Sequence, residues 1–375
     1  AADAYGIDLT IVGPEVPLAM GLADRLRAEG RAVFGPSMAA AQIEASKAFS
    51  KEVMVAAGVP TAASRSFTEL QQALAYVANH PEPLVVKASG LAAGKGAVVC
   101  QTRAEAREAL QEMLGGDKFG DAGHTVVIEA FMPGEELSVL AITDGVDVEL
   151  LPAAQDHKRV GEGDTGPNTG GMGAYSPVAL GTPAVLDRVR EQVLHPTLRE
   201  LAKRGAKYNG VLYAGIMLAE DGVPRVVEFN CRLGDPETQV ALPLVQRGLL
   251  ACFDRVARGE KPSALSIAKD AAVTTVLAAE GYPDAPKKGA VITLPASLPE
   301  GVTLFHAGTS LEAGVLKVNG GRVLNVTAVA PTFADAQARS HAGAEAVQYA
   351  GKMFRRDIGW REAGRRGNGG TGERA

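Results

Sequence analysis

The glycines of this chain constrain its fold more than any other feature, because they cluster in a few loops. The sequence has 44 glycines among 375 residues. One cluster, residues 89–96, lies between two apolar runs, Leu84–Ala88 and Ala97–Cys100, that have the length of β-strands. Glycine adopts backbone conformations that other residues avoid, so such a loop can fold closely over a ligand. The pattern predicts an α/β protein in which short strands border a ligand-binding loop.

Apolar runs and helix-stop signals divide the chain into a series of domains. A helix that begins at Ser46 is ended by Gly58-Val59-Pro60, and we place the first boundary there. The predicted parts are a partial N-terminal α/β domain (1–59), a small subdomain with the glycine-rich loop (60–130), a large subdomain (131–264), a small C-terminal β-rich α+β domain (265–360) and a disordered Gly/Arg-rich tail (361–375).

The first domain is expected to be truncated at its start. A strand over residues 8–13, a helix through Leu18, Leu22 and Leu26, and a strand over Ala32–Phe34 form a piece of an open α/β sheet. A doubly wound domain normally opens with a phosphate-binding strand-loop-helix unit, and none precedes residue 8.

Local turn and cap signals predict several further elements. The Asp144-Gly145 and Asp221-Gly222 pairs lie between apolar runs and predict β-hairpins. Thr102 and Glu105 have the spacing of a helix capping box. Residues 155–177 are polar and dense in glycine, so we expect a long loop, which in a compact domain is usually functional.

The net charge and the cysteines of the chain indicate which binding partners and which cellular compartment to expect. Charged residues make up 22% and the formal net charge is −5, so nothing suggests a nucleic-acid partner. Cys100, Cys231 and Cys252 are odd in number and scattered, which favours a reducing, cytoplasmic setting. No apolar run is long enough to span a bilayer, so we expect no membrane partner.

Lys87 is the first candidate for phosphate binding. It stands near the end of a predicted strand, and Gly90, Gly94 and Gly96 follow it. The backbone N–H groups of such a loop can cradle phosphate. The loop is not a Walker A sequence, because Gly96 stands where Ser or Thr is required. The alternative is a plain hairpin with a solvated lysine.

The segment E-F-N-C-R predicts a metal site. Side chains two apart share a face of a strand, so Glu228 and Asn230 point one way, while Phe229 and Cys231 face the core. Carboxylate and amide oxygens suit Mg²⁺, and the adjacent Arg232 suits a transferring phosphoryl group. The alternative is the polar side of an ordinary strand. The number of metal ions stays open.

The segment E-A-F-M-P-G-E-E, which starts at Glu129, is consistent with a nucleotide-binding linker. A strand end that becomes a linker can present free backbone N–H and C=O groups to an adenine edge. An acidic side chain a few residues later can accept both ribose hydroxyls. A plain interdomain connector is the alternative.

The long loop carries side chains that suit charged small molecules. Lys158 and Arg159 can neutralise phosphate, and Asp156 can bind an ammonium group. A mobile lid without ligand contacts is the alternative. His157 has no neighbouring nucleophile, so we interpret it as structural.

Four motifs together resemble the ATP-grasp superfamily, and most closely its glycinamide ribonucleotide synthetase (phosphoribosylamine–glycine ligase) family. They are K-A-S-G-L-A-A-G-K-G, Q-D-H-K-R, D-T-G-P-N-T-G-G-M-G-A-Y-S-P and E-F-N-C-R-L-G-D-P-E-T-Q. The resemblance runs from about residue 7 to residue 360. It implies an ATP-grasp fold with a truncated N-terminal pre-ATP-grasp domain and a small C-terminal α+β domain.

The resemblance also implies roles for individual residues. ATP would be bound by Lys47, Lys87, Ser89, Gly90, Gly94, Lys95, Gly96, Glu129, Phe131, Met132 and Glu136. The substrates would be bound by Gly13, Pro14, Glu15, Asp156, Lys158, Asn168, Thr169, Gly170, Gly171, Met172 and Asp235. Mg²⁺ or Mn²⁺ would be ligated by Glu228 and Asn230. Arg232 and Lys87 would act on the transferring phosphoryl group.

The activity implied is the ATP-dependent ligation of glycine to 5-phosphoribosylamine through a glycyl phosphate, in de novo purine biosynthesis, by a monomer. The alternatives are an inactive ATP-binding remnant and another ATP-grasp carboxylate–amine ligase. The sequence departs from the family pattern at Ser89, where Asp is usual, and at Ala130, where Glu is frequent. The family's N-terminal glycine-rich loop is missing.

Overall fold

A computed structural model describes residues 3–92, 96–116 and 120–368, with only the backbone at residues 121 and 366–368. The helices are α1 (Glu15–Ala19), α2 (Leu22–Ala28), α3 (Met38–Ala45), α4 (Lys47–Ala57), α5 (Leu70–Val77), α6 (Arg103–Leu114), α7 (Pro183–Val189), α8 (His195–Lys203), α9 (Thr238–Ala241), α10 (Leu249–Ala257), α11 (Phe333–Ala346) and α12 (Trp360–Asn368). Among the described residues, none of these helices combines the length and the apolar character that crossing a bilayer requires.

Short strands alternate with these helices. They are β1 (Leu9–Ile11), β2 (Ala32–Phe34), β3 (Ser64–Phe67), β4 (Leu84–Ala88), β5 (Ala97–Cys100), β6 (Val126–Ala130), β7 (Glu135–Thr143), β8 (Val148–Leu150), β9 (Gln155–Asp156), β10 (Arg159–Gly161), β11 (Thr165–Asn168), β12 (Gly173–Ser176), β13 (Gly210–Leu218), β14 (Pro224–Asn230), β15 (Val245–Arg247), β16 (Ser266–Ile267), β17 (Ala271–Ala278), β18 (Val302–His306), β19 (Thr309–Glu312), β20 (Val315–Val318) and β21 (Arg322–Ala330).

The chain falls into two compact units. Unit 1 comprises residues 1–150, 183–233 and 248–265, and unit 2 comprises residues 151–182, 234–247 and 266–375. This division does not separate the first two predicted parts from each other, and it divides the third, because residues 151–182 and 234–247 belong to unit 2. The predicted boundaries stay predictions.

The N-terminal part of unit 1 is a parallel strand pair flanked by helices. β1 and β2 pair in parallel, as the strand-helix-strand pattern predicted. Phe34 at the end of β2 stacks on Phe253 of α10, with ring centroids 4.2 Å apart. The single helix predicted between the strands is wrong. α1 and α2 are separate because Gly21 between them adopts a left-handed φ of 80°.

An antiparallel sheet of order β3-β6-β4-β5 carries the predicted phosphate loop. β4 and β5 occupy the ranges predicted from the sequence and pair with Lys87 opposite Ala97. α5 and α6 pack on this sheet through a buried apolar cluster that includes Leu84, Leu110 and Ile128. The glycine-rich loop therefore starts from a rigid strand pair.

A second antiparallel sheet of unit 1 has the order β14-β13-β7-β8. β7 with β8 and β13 with β14 form the two predicted hairpins. The β13–β14 register shifts between Gly215 and Ile216, which leaves Val227 as an extra residue in β14. A single parallel bridge joins Thr61, just before β3, to Val226 of β14. The bulge thus lies where the two sheets are connected.

Unit 2 is built on a sheet of order β18-β21-β17-β12-β9, against which α11 packs. The expectation that residues 155–177 form a loop throughout is wrong, because β9 to β12 lie within them. β12 is buried and pairs with β17. Gly173 permits this approach, since a Cβ there would lie 2.5 Å from the carbonyl oxygen of Thr274. Glycine in this segment serves strand packing as well as loop conformation.

Helix α12 corrects the prediction of a disordered tail from residue 361. Glu362 is fully buried, and its Oε2 accepts the N–H of Ala179 at 3.1 Å. A composition rich in Gly and Arg predicts disorder only where nothing anchors the segment. Residues 369–375 lie outside the described residues.

Helix α6 begins at the predicted capping box. The Oγ1 of Thr102 accepts the N–H of Glu105 at 3.2 Å. The Oε2 of Glu105 accepts the N–H of Gln101 at 2.8 Å. Both side chains therefore satisfy backbone donors at the start of the helix.

Replacing Thr102 with alanine should weaken the first turn of α6, because the Glu105 amide loses its acceptor. The expected cost of ~1 kcal/mol corresponds to about fivefold faster local amide hydrogen exchange. Thr102→Ser keeps the hydroxyl and should exchange at the original rate. Equal exchange in Thr102→Ala and the unsubstituted chain would contradict this capping assignment.

Candidate active site

Helix α4 of unit 1 starts against the residue that follows β4. The hydroxyl of Ser46 accepts the N–H of Phe49 at 3.2 Å. Ser89 accepts two further amides, that of Ala48 through its hydroxyl at 3.1 Å and that of Lys47 through its carbonyl oxygen at 2.8 Å. Ser89 thus offers the acceptor that an aspartate would offer, so this departure from the family pattern leaves the helix capped.

Lys47 and Lys87 lie close to the predicted metal ligand Glu228. The Nζ of Lys47 donates to the carbonyl oxygen of Gly90 at 3.3 Å. Burial lowers the pKa of Lys47, the Glu228 carboxylate raises it, and the Lys87 ammonium lowers it further. The structure therefore brings Lys47 within electrostatic reach of both Glu228 and Lys87.

The described ends of the glycine-rich loop are packed too closely for side chains. A Cβ at Gly90 would lie 2.5 Å from the Cα of Ala122. A Cβ at Gly96 would lie 2.6 Å from the Cβ of a neighbouring alanine. Gly94 and Lys95, which are also predicted to bind ATP, lie outside the described residues.

The side chain of Glu129 is committed to two lysines. Its Oε2 lies 3.0 Å from the Nζ of Lys87, and its Oε1 lies 3.2 Å from the Nζ of Lys51. All three side chains are almost fully buried. We refer to Lys51, Glu129 and Lys87 as the lysine–glutamate triad. Because both side-chain oxygens are paired with lysines, only the backbone of Glu129 is left to contact adenine, and that contact stays a prediction.

The linker after β6 is held against the second sheet. Gly134 lies so close to β13 that a Cβ would meet a backbone carbonyl oxygen at 2.4 Å. Phe131 is exposed and Met132 is half-buried. The roles of Phe131, Met132 and Glu136 in ATP binding stay predictions.

Strand register places Glu136, Glu228 and Asn230 on one face of the second sheet. Glu228 is opposite Gly215, and Asn230 is opposite Tyr213. Glu136 is opposite the residue two after Gly215 on β13, and side chains two apart share a face. A Cβ at Gly215 would lie 3.3 Å from the Oε1 of Glu136, so glycine here admits the Glu136 carboxylate. The predicted ribose-binding residue therefore shares a face with both predicted metal ligands.

The donors on this face fit a divalent cation that also binds phosphate. Glu228 offers a carboxylate and Asn230 an amide oxygen, and both residues are half-buried. Mg²⁺ typically takes one or two protein carboxylates together with phosphates and water. In the described part of the chain, no group of three or more His, Cys, Asp or Glu side chains is arranged to hold a metal. Phe229 and Cys231 are buried, as the strand pattern predicted.

Arg232 is held between two carboxylates. Its Nε lies 3.2 Å from the Oε2 of Glu15, and its Nη2 lies 3.1 Å from the Oε1 of Glu44. Glu44 also accepts the N–H of Cys231 at 2.7 Å. Burial raises the pKa of Glu44, whereas Arg232 and the Cys231 amide lower it. Glu15, predicted to bind the amine substrate, is thus beside the residue predicted to steady the phosphoryl group.

The predicted substrate residues of the long segment belong to unit 2, where Arg322 connects several of them. Its Nη1 donates to the carbonyl oxygen of Gly170 at 2.7 Å and to that of Asp235 at 2.8 Å. Its Nη2 lies 2.8 Å from the Oδ2 of Asp235. Gly171, with φ of 111°, packs against Pro236. Arg322 therefore fixes Gly170 and Asp235 relative to each other.

The remaining predicted residues of this segment differ in exposure. Thr169 is buried, and its N–H and hydroxyl both donate to the carbonyl oxygen of Lys158, at 2.7 and 2.8 Å. Asp156 in β9 and Met172 are also buried, whereas Lys158 and Asn168 are half-buried. Thr169 and Met172 pack the segment, and substrate contacts of all five stay predictions.

His157 is a buried residue at the base of this segment, which agrees with its structural interpretation. Its Nε2 accepts the N–H of Gly359 at 2.9 Å, and its Nδ1 lies 3.8 Å from Asp164. Asp164 is also paired with Arg355, at 2.9 Å, and with Arg361. Burial lowers the pKa of His157, Asp164 raises it, and the two arginines lower it.

The sequence matches three domain models of one family. They describe the phosphoribosylglycinamide synthetase N domain over residues 1–44, its ATP-grasp (A) domain over residues 45–238 and its C domain over residues 272–361. The chain belongs to the phosphoribosylglycinamide synthetase family. The ATP-grasp fold class predicted from the motifs is confirmed.

Curated relatives of this family align along nearly the whole chain. The phosphoribosylamine–glycine ligase of Pasteurella multocida is 49% identical over 372 residues, which cover 98% of this chain and 86% of the relative. The enzyme of that name from Vibrio parahaemolyticus is 48% identical over 97% of this chain and 85% of its own length. That of Synechocystis is 49% identical over 94% of this chain and 84% of its own length.

Solved structures agree with the sequence matches. The phosphoribosylamine–glycine ligase of Thermotoga maritima has a TM-score of 0.80 and 38% identity, and the match covers 87% of this chain and 81% of that one. A biotin carboxylase from Campylobacter jejuni has a TM-score of 0.72 at 16% identity, covering 94% of this chain and 78% of that one. The second likeness is one of fold alone.

Sequence reasoning missed three charged residues of these sites, namely Glu44, Lys51 and Arg322. Glu44 lies on α3 and Lys51 on α4, and a charged residue on a helix is usually exposed to solvent. Arg322 is distant in sequence from the glycines that it holds. Gly13 and Pro14 are exposed and join β1 to α1, so their predicted substrate contact is left as a prediction.

Protonation of His157 should destabilise unit 2 in mild acid. Its pKa in the folded chain is lowered, so its contribution to stability is complete above the ordinary value of ~6.5 and is lost as the pH falls below it. We expect the apparent Tm to fall more steeply between about pH 6.5 and 5 in the unsubstituted chain than in His157→Gln. Parallel Tm curves for the two chains would contradict a neutral His157.

Proposed function

We propose that this chain joins glycine to 5-phosphoribosylamine and forms glycinamide ribonucleotide, ADP and phosphate. The observation that carries the proposal is the identity of 49% over 98% of the chain with a phosphoribosylamine–glycine ligase. The charged residues of unit 1 support it, because they suit the binding of ATP and a divalent cation. The reaction belongs to de novo purine biosynthesis.

The reaction needs two displacements and no protein nucleophile. A carboxylate oxygen of glycine attacks the γ-phosphorus of ATP, the bond to the β–γ bridging oxygen breaks, and ADP leaves. The amine nitrogen of phosphoribosylamine then attacks the carbonyl carbon of glycyl phosphate. Phosphate leaves, and the nitrogen gives up a proton. Catalysis of this kind depends on positioning and on stabilisation of charge.

The residues of unit 1 that were predicted to bind phosphate and metal each have a role in this scheme. Lys47 and Lys87 attract the phosphates of ATP, and Arg232, held by Glu15 and Glu44, neutralises charge on the transferring phosphoryl group. Glu228 and Asn230 would hold Mg²⁺ or Mn²⁺, which supplies positive charge to the phosphate oxygens when bound.

Each unit holds residues that are proposed for the substrates. Asp156 and Lys158 suit the ammonium group of glycine and the phosphate of phosphoribosylamine. Gly170 and Asp235, which Arg322 holds together, are proposed to line the site for the same ligands. Glu15 would bind phosphoribosylamine, with Gly13 and Pro14 before it.

We further propose that the chain acts in the cytoplasm as a monomer. Cys100, Cys231 and Cys252 are free and buried thiols, which suits a reducing compartment. Light scattering of the purified chain measures the oligomeric state directly.

ADP release from the purified chain should require ATP, Mg²⁺, glycine and phosphoribosylamine together. Release that another carboxylate supports equally well would favour a different ATP-grasp ligase. ATP binding without any release would identify an inactive chain.

Glu228→Ala should reduce ADP release at least ~100-fold, because the chain loses a carboxylate that neutralises and positions the metal–ATP complex. Glu220→Ala, in the exposed hairpin turn before β14, removes the same charge and should keep full turnover. Unchanged turnover in Glu228→Ala would rule out the metal assignment.

Arg322→Met should raise the KM for glycine or phosphoribosylamine about tenfold, because Gly170 and Asp235 lose their common donor. The affinity for ATP should stay the same, because the proposed ATP residues belong to unit 1. Arg322→Lys cannot make both contacts in the same way and should be only partly active. A weaker affinity for ATP with unchanged substrate KM would contradict the role given to unit 2.

A further inference from the structure

We propose that Lys51 is a positioning residue for ATP binding, whose charge offsets that of Glu129 so that the lysine–glutamate triad keeps one net positive charge for the phosphates. The inference rests on the proposed function only in taking ATP as the ligand of unit 1. Nothing in the family motifs marks Lys51, which lies one turn after Lys47 in α4.

Lys51 cannot itself be the group that contacts ATP. Its Nζ lies 2.8 Å from the Oγ1 of Thr61, 3.2 Å from the Oε1 of Glu129 and 3.4 Å from the carbonyl oxygen of Ala62. An ammonium group has three N–H donors, and three protein acceptors surround this one. Any effect of Lys51 on ATP must therefore act through the residues it contacts.

Lys87 is the residue through which Lys51 acts. Its Nζ lies 3.0 Å from the Oε2 of Glu129 and 2.9 Å from the carbonyl oxygen of Val227. Without Lys51, the Glu129 carboxylate would neutralise Lys87 alone. With Lys51, two ammonium groups share one carboxylate, and the triad keeps one net positive charge beside Lys47. Charge interactions are stronger in a buried site than in water, so this net charge should affect a polyanionic ligand.

The triad also fixes the start of the metal-binding strand segment. Thr61, which accepts from Lys51, donates through Oγ1 to the carbonyl oxygen of Val226 at 2.7 Å. Lys87 donates to the carbonyl oxygen of Val227, the bulged residue of β14. The two lysines thus hold consecutive carbonyl groups just before Glu228. Lys51 therefore contributes to the position of β14 as well as to the net charge of the triad.

The role of Lys51 in ATP binding also predicts a dependence of ATP affinity on pH. Burial lowers the pKa of Lys51 to about 8, the facing Glu129 raises it, and the facing Lys87 lowers it. The group is therefore charged at neutral pH and loses its proton above about pH 8. ATP affinity should weaken more steeply above that pH in the unsubstituted chain than in a chain that lacks Lys51, in which only the titration of Lys47, whose pKa burial also lowers, remains.

The test is the Kd for ATP with Mg²⁺, measured by calorimetry in the full chain without glycine or phosphoribosylamine. Lys51→Met should weaken binding at least about tenfold, which corresponds to ~1.4 kcal/mol. Adding Glu129→Gln restores the net charge of the triad, so Lys51→Met/Glu129→Gln should recover most of that loss. Lys203→Met, which removes an exposed lysine of α8, should bind ATP normally.

Adenosine is the control ligand, because it shares the nucleoside of ATP but lacks the phosphates. Its affinity should be the same in all four chains, which circular dichroism should show to be equally folded. The inference is overturned if Lys51→Met binds ATP normally, if the double variant binds as weakly as Lys51→Met, or if adenosine binding falls in parallel. Absence of ATP binding in the unsubstituted chain would instead contradict the proposed function, and this inference with it.

Discussion

The two oxygens of the Glu129 carboxylate are buried between the ammonium groups of Lys51 and Lys87, and the placement of three elements depends on this contact. Lys51 belongs to α4, Lys87 to β4 and Glu129 to β6. Leaving one of these charges buried without its partner is costly, so each of the three side chains stabilises the placement of the other two. Hydrogen bonds from Thr61 and Lys87 to the bulge of β14 extend this constraint to the second sheet.

In unit 1, the lysines and the carboxylates proposed to bind ATP and metal come from different elements. α4 and β4 contribute lysines, whereas β7 and β14 contribute Glu136 and Glu228 on one face of the second sheet. Gly215 on that face admits the Glu136 carboxylate, whose Oε1 would lie 3.3 Å from a Cβ there. ATP with a divalent cation carries both signs of charge, so it is complementary to this arrangement. The triad matters because it fixes the lysine side of the arrangement relative to the strand that bears Glu228.

The parts of the site that depend on local spacing were predictable from the sequence. Alternation along β14 gave the orientation of Glu228 and Phe229 correctly, and Thr102 with Glu105 identified the start of α6. The parts that depend on distant contacts were not predictable. Nothing local distinguishes Lys51 from a solvated helix residue, because its acceptors come from β6 and from the segment before β3. Residues 155–177 were misread because their glycines allow close strand packing as readily as they allow loops.

The two units treat buried charge differently, and the difference supports a functional reason for the triad. In unit 2, Asp164 and Asp357 are paired with Arg355 and Arg361, and His157 beside them favours its neutral form. That cluster is balanced, as a purely structural cluster can be. The triad keeps a net positive charge although burial lowers the pKa of Lys51. Apolar side chains of similar size often stabilise a fold as well as buried ions do. The positive charge of the triad lies beside Lys47, on which Glu228 and Glu44 also act, and ATP with a divalent cation would complement both signs of charge.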